Sequence, residues 1–179
     1  MRIREMTEAD VGAVAAVRVR GWQHAYAGLM PQEYLDSLSS EGDAGERRRA
    51  FTRTREVISN FVAEDTAGRI TGWAALGPYR EGDLPPAGRP FTSDGEVYAL
   101  YVHPESIGTG TGRALMDVCL RQAEARSFPR VLLWVVKGNA RARRFYERAG
   151  FHPDGAEESY DVQGVPVPEV RYAKRLAAA

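Results

Sequence analysis

The chain has 179 residues, 44% of them hydrophobic, which is enough for one buried core; no Pro, Gly or Ser run marks a linker, so a single domain over 1–179 is expected. Its 24 basic and 24 acidic residues balance, so the long-range field that gathers nucleic acid or an anionic membrane is not expected. Cys119 is the sole cysteine, which excludes an internal disulfide framework and a cysteine-held zinc, and no metal site is expected. Residues 1–6 lack the apolar core of a signal peptide, and the longest apolar run, 131–136, is too short to span a bilayer, so a soluble cytoplasmic protein is expected.

In chain order, Ile3 to Met6 reads as a short strand, and Thr7 with Asp10 as a capping-box-like start to a helix with Val11, Val14 and Ala15 on one face. That helix is expected to run to about Arg20, where Gly21 interrupts it. A second helical region holds Tyr34, Leu35 and Leu38, and a third spans Glu46 to Thr54. Asn60 to Asp65 and Ile70 to Leu76 read as antiparallel strands joined at residues 66–69. The Pro- and Gly-rich stretch from Gly77 to Gly95 reads as a long loop, either a lid or an ordinary connection.

Glu96 to Val102 is a predicted strand, Gly112 to Ala125 a helix, and Val131 to Val136 a continuous apolar strand. Such a unit requires parallel strands and a right-handed crossover, with the intervening loop at the carboxyl end of the first strand, where ligands of α/β folds sit. Asn139 is positioned to cap a helix that Gly150 ends, and Phe151 to Tyr160 and Val167 to Ala173 read as closing strands.

The loop itself, Gly108-Thr109-Gly110-Thr111-Gly112, is the strongest chemical signal. Alternate glycines before a helix clear side chains from its unpaired N–H groups, which favours an anion, phosphate above all. A P-loop would continue with Lys and Ser or Thr where this chain has Arg113-Ala114, and a dinucleotide fingerprint lacks its third glycine. Neither of those two assignments fits, and the loop alone leaves a ligand cradle and a plain connection both open.

Two blocks together carry a family resemblance: residues 100–105 running into 108–115, and residues 139–151. They resemble the acetyl-CoA motif and a second conserved block of the GNAT superfamily of N-acetyltransferases. The resemblance implies an α/β fold built on a mixed, mostly antiparallel sheet, with one splayed parallel pair and helices on both faces. It implies acetyl-CoA as cosubstrate, with Leu100, Tyr101, Val102, Gly108, Thr109, Gly110, Thr111, Gly112, Arg113, Asn139, Arg141, Phe145 and Tyr146 binding it. Ile107 stands where the family often has Gln or Arg, and the hydroxyls of Thr109 and Thr111 are candidates to compensate.

Amine acetylation needs a neutral nucleophile, donors for an oxyanion, and a proton for the leaving thiolate. By resemblance Tyr146 is the acid, Glu96 a base acting directly or through water, and a backbone N–H within 100–102 the oxyanion donor; spacing alone favours a core aromatic at Tyr146 and leaves a solvated strand-end charge equally open at Glu96. Trp22, Tyr26 and Tyr98, with Tyr79 and Phe91 beside them, are candidate walls for the acceptor, whereas His24, His103 and His152 read as structural or surface residues. The expected reaction is direct transfer to a small-molecule amine. A protein N-terminus or lysine is the alternative acceptor, a non-catalytic acyl-CoA sensor is the rival of another class, and the closing strands suit a homodimer.

Overall fold

The computed structural model describes residues 1–80 and 94–176. Their strands are β1 (Arg2–Glu5), β2 (Ser59–Glu64), β3 (Ile70–Pro78), β4 (Gly95–Val102), β5 (Arg130–Val136), β6 (His152–Val162) and β7 (Val165–Arg175). The helices are α1 (Val11–Ala25), α2 (Gln32–Ser37), α3 (Ser40–Thr54), α4 (Thr111–Ala125) and α5 (Ala140–Arg148). One sheet holds all seven strands in the order β1-β2-β3-β4-β5-β7-β6. Every neighbouring pair is antiparallel except β4 and β5.

That parallel pair is joined only at Gly95 with Val131 and Glu96 with Leu132. Beyond Glu96 the strands part, although β3 still pairs with β4 as far as Val102 and β7 with β5 as far as Val136. Each diverging strand is therefore braced on its outer side, and the gap between them is built in.

Alternation along the strands divides the core. On one face Leu76, Val97, Leu133 and Tyr172 pack with Met116 and Cys119 of α4 and Phe145 of α5. On the other, Val62, Trp73 and Ala75 meet Val11 and Val14 of α1 and Phe51 of α3. A further cluster joins Trp22 and Leu35 to Val136, Val162 and Val167. Helices thus cover both faces of a mixed sheet.

Two element boundaries differ from expectation. Gly21 does not end the first helix: it is buried, and a Cβ there would lie 3.3 Å from the Tyr101 ring, so its lack of a side chain lets α1 close on β4. The third helix begins at Ser40 rather than Glu46, because Ser39 Oγ accepts the Gly42 N–H (3.1 Å) and Glu41 and Asp43 favour the positive end of the helix dipole. Gly77, Pro78 and Gly95 belong to strands, and most of the expected loop, including Phe91, lies outside the described residues. At Gln163 and Gly164 the β6–β7 hairpin turns with positive φ at both residues (53° and 83°).

The start of α1 is held electrostatically. Asp10 accepts from the Thr7 N–H (2.8 Å) and from both terminal nitrogens of Arg4 (2.7 and 2.8 Å), while Arg4 Nε also reaches Glu64 on β2 (2.6 Å). Arg4 holds the Asp10 carboxyl down at about 2, below its ordinary 3.8. A depressed carboxylate stabilises the fold above its unfolded pKa and loses that contribution as pH falls through the folded value. Asp10→Asn is expected to lower unfolding stability by about 1–2 kcal/mol at pH 7, with the difference shrinking between about pH 4 and pH 2, as denaturant titrations at several pH values will show.

Candidate active site

The gap between β4 and β5 opens into a groove of about 790 Å3. The carboxyl half of β4, the glycine loop, α4 and α5 form its walls. Gly108 and Gly110 both have positive φ (85° and 90°), a conformation other residues adopt only with strain, whereas Gly112 faces Phe145 and leaves the groove clear. The first intrahelical donor of α4 is Ala114, to the Gly110 carbonyl (3.0 Å), so the amides of Thr111, Gly112 and Arg113 precede the helix's own bonds. These donors and the helix dipole together suit a phosphate.

Leu100, Tyr101, Val102, Gly108, Gly110, Gly112, Arg113, Asn139, Arg141, Phe145 and Tyr146 all line this groove. The hydroxyls of Thr109 and Thr111 turn elsewhere: Thr109 Oγ1 donates to the Ser106 carbonyl (2.7 Å) and Thr111 Oγ1 to the Met1 sulfur (3.1 Å). They brace the loop, and compensation for Ile107 through them has no geometric support. Asn139 Oδ1 caps α5 by accepting the Ala142 N–H (3.0 Å).

The His103 N–H donates to the Thr71 carbonyl on β3 (2.8 Å). By the alternation of an antiparallel ladder, Tyr101 and His103 direct their amides to β3, and Leu100 and Val102 direct theirs into the groove. Tyr146 keeps a partly exposed face in the groove while protein crowds its hydroxyl, and burial, then Tyr101 and Cys119, pushes its pKa above the ordinary phenol value. Burial also pushes the Cys119 thiol up to about 12, so it carries no thiolate at neutral pH.

Glu96 is buried at the closed end of the gap. Its oxygens accept from the Arg80 amide (3.1 Å), Nε (3.3 Å) and Nη2 (2.9 Å). That geometry suits an anchor better than a free proton acceptor. Glu169, on β7 opposite the last residue of β5, went unnoticed in the sequence; burial first, then Glu158, lifts its carboxyl to about 7. Burial, then Tyr101, and to a smaller extent Tyr146 and Glu169, pushes the Tyr26 phenol well above its ordinary pKa.

Behind Tyr101 lies a second cavity of about 310 Å3, lined by Trp22, Tyr98, Trp73 and several arginines. Tyr101 lines both cavities and so forms their common wall. Tyr26 stands edge-on to Trp22 (5.1 Å between centroids) in the adjoining cluster, and Tyr79 accepts from Arg171 (2.7 Å). His24 lines the groove with its Nε2 3.4 Å from Arg141, a placement its sequence context did not signal.

Residues 21–151 match the model of the acetyltransferase (GNAT) family. The chain belongs to that family. It is 30% identical over 172 residues, 94% of this chain and 89% of the relative, to the uncharacterized N-acetyltransferase YuaI of Bacillus subtilis. It is 29% identical to the probable N-acetyltransferase Rv2775 of Mycobacterium tuberculosis, covering 96% of this chain and 92% of that one. Among solved structures, PaiA N-acetyltransferase of Thermoplasma acidophilum in complex with coenzyme A superposes with a TM-score of 0.74 at 20% identity, covering 98% of both chains. This GNAT enzyme is an N-acetyltransferase, and no described helix is long and apolar enough to cross a membrane.

A Cβ on Gly110 would meet no described protein atom within 4 Å, so Gly110→Ala strains the backbone and adds a methyl only toward the groove. Coenzyme A is expected to bind about tenfold more weakly by calorimetry, the equivalent of the ~1–2 kcal/mol cost of a left-handed residue. Gly155→Ala, at a comparable φ of 91° outside the groove, will lower stability without changing that affinity.

Proposed function

We propose that this GNAT enzyme acetylates a small-molecule primary amine by direct attack on acetyl-CoA in a ternary complex. The observation that carries this reading is the shared Tyr101 wall: a long groove with bare amides on one side, and a small separate cavity on the other. At about 30 Å3 per water, the second cavity has room for roughly ten waters, a volume suited to a metabolite-sized acceptor. PaiA, solved with coenzyme A, shares the fold, and the groove residues here suit the same carrier. Direct transfer is favoured over a covalent acyl-enzyme because the lone cysteine is buried and protonated.

In this reading the amides of Thr111 to Arg113 hold the pyrophosphate. The Leu100 or Val102 N–H stabilises charge developing on the carbonyl oxygen. Tyr146 retains its proton at neutral pH and donates it to the departing thiolate, whose own basicity rises in the same dry cleft. Of the two carboxylates, Glu169, which burial lifts to about 7, is the better candidate to take the ammonium proton, while Glu96 anchors Arg80.

Thiol release from acetyl-CoA over a panel of amines tests the reading, and binding of acetyl-CoA with no turnover on any amine overturns it in favour of a sensor. Tyr146→Phe is expected to lower kcat about 100-fold. A base must be unprotonated, so kcat/KM is expected to rise with pH through about 7, and Glu169→Gln removes that rising limb. If Glu96→Gln abolishes the limb and Glu169→Gln leaves it, the roles of the two carboxylates are reversed.

A further inference from the structure

The cavity behind Tyr101 has a charge pattern that the acetyl-transfer chemistry does not require. Arg18, Arg47, Arg53 and Arg80 line it, and among the described residues no Asp or Glu does. Arg80 is engaged by Glu96 (2.9 Å), and Arg53 sits exposed towards the end of α3. The other two share one counterion: Asp43 accepts from Arg18 Nη1 (2.6 Å) and from Arg47 Nε (3.1 Å).

One carboxylate between two guanidinium groups leaves a net positive charge in a partly buried place. Among the described residues, Arg18 and Arg47 each donate to Asp43 through one nitrogen, out of five N–H donors per guanidinium. Both lie over indoles, Arg18 Cζ 4.5 Å from the Trp22 ring centroid and Arg47 Cζ 4.9 Å from that of Trp73, and with the bonds to Asp43 these contacts restrain the guanidinium groups before any ligand arrives. Burial, followed by repulsion from Arg18, lowers the Arg47 pKa from its ordinary value. An anion in the cavity beside the two arginines offsets that repulsion and accepts from donors that Asp43 leaves unused.

We propose that the acceptor amine carries an oxyanion group, a carboxylate or phosphonate, which Arg18 and Arg47 grip while Tyr101 directs the amine toward the groove. The proposal rests on the acetyl-transfer reading for the role of the amine, but the anion site itself does not depend on turnover. The indole plates and Tyr98 supply apolar contact for the rest of the molecule.

Two measurements separate the site from the reaction. First, α- and ω-amino acids are compared with their primary amides and with the corresponding aminoalkylphosphonates in thiol-release assays. The amide of an α-amino acid has the less basic amine, so reactivity alone favours the amide there, and a lower KM for the oxyanion forms reports recognition. The expected preference is about 10- to 100-fold, the range for charge-assisted bonds, and the better of carboxylate and phosphonate identifies the group. Second, N-acetylated amino acids and their amides are titrated calorimetrically into protein saturated with coenzyme A, which needs no catalysis.

Arg47→Met is expected to erase the acid-over-amide preference in both measurements while coenzyme A binds as in the wild type, which also shows that the variant folds. Arg18→Met is expected to do the same. Selective acid binding without thiol release upholds the anion site and sinks the acetyl-transfer reading. Thiol release with acids and amides used equally, or an unchanged preference in both arginine variants, overturns the anion site.

Discussion

The early end of the β4–β5 pairing is the constraint on which the rest depends. Two paired positions hold the strands together at Gly95 and Glu96, and beyond them each strand follows its own outer neighbour. A strand edge left without a partner presents amides and carbonyls that must be satisfied by something other than protein. Here that edge is the wall of the groove, so the defect in the sheet and the binding surface are the same feature. The closed end is tightly packed: a Cβ on Gly95 would fall 2.5 Å from the Phe128 ring, and Glu96 is locked to Arg80.

Tyr101 links the two sides of the sheet. Its ring stacks near Trp73 (6.2 Å between centroids) and tilts toward Trp22 (6.5 Å), and α1 approaches it closely at Gly21. The ring therefore belongs to the packed core and to both cavities at once. Substitutions on α1 near Gly21 act on the cofactor groove and on the acceptor cavity through the same side chain. This coupling is steric and needs no moving part.

Much of the architecture was legible from residues 95–151, where strand, glycine loop, helix, apolar strand and capped helix follow one another with strong local signals. Of the two boundaries that differ, the end of α1 is decided by a distant partner. Gly21 reads as a breaker because glycine is a poor helix former, yet contact with Tyr101, some 80 positions later in the chain, rewards its missing side chain. The start of α3 is a local matter: Gly42 and Gly45 are poor helix formers, while the Ser39 cap that begins the helix is itself a sequence signal. Glu169 and the arginines of α1 and α3 carry no local motif, and charged residues on strands and helices are ordinarily solvated.

The amino-acid sequence by itself determined the periodicities, the caps and the glycine-spaced loop, because these depend on backbone sterics and hydrogen bonds within a few residues. It also carried the two blocks by which the family is recognised. Tertiary structure alone decided where the parallel strands separate, which hydroxyls turn away from the groove, and which carboxylate is crowded enough to rise to about 7. It alone brought Arg18 of α1 to Asp43, which already pairs with Arg47 at i,i+4 on α3. Burial and electrostatic fields sum over groups far apart in the chain, so a linear reading has no access to them until the sheet has closed around the site.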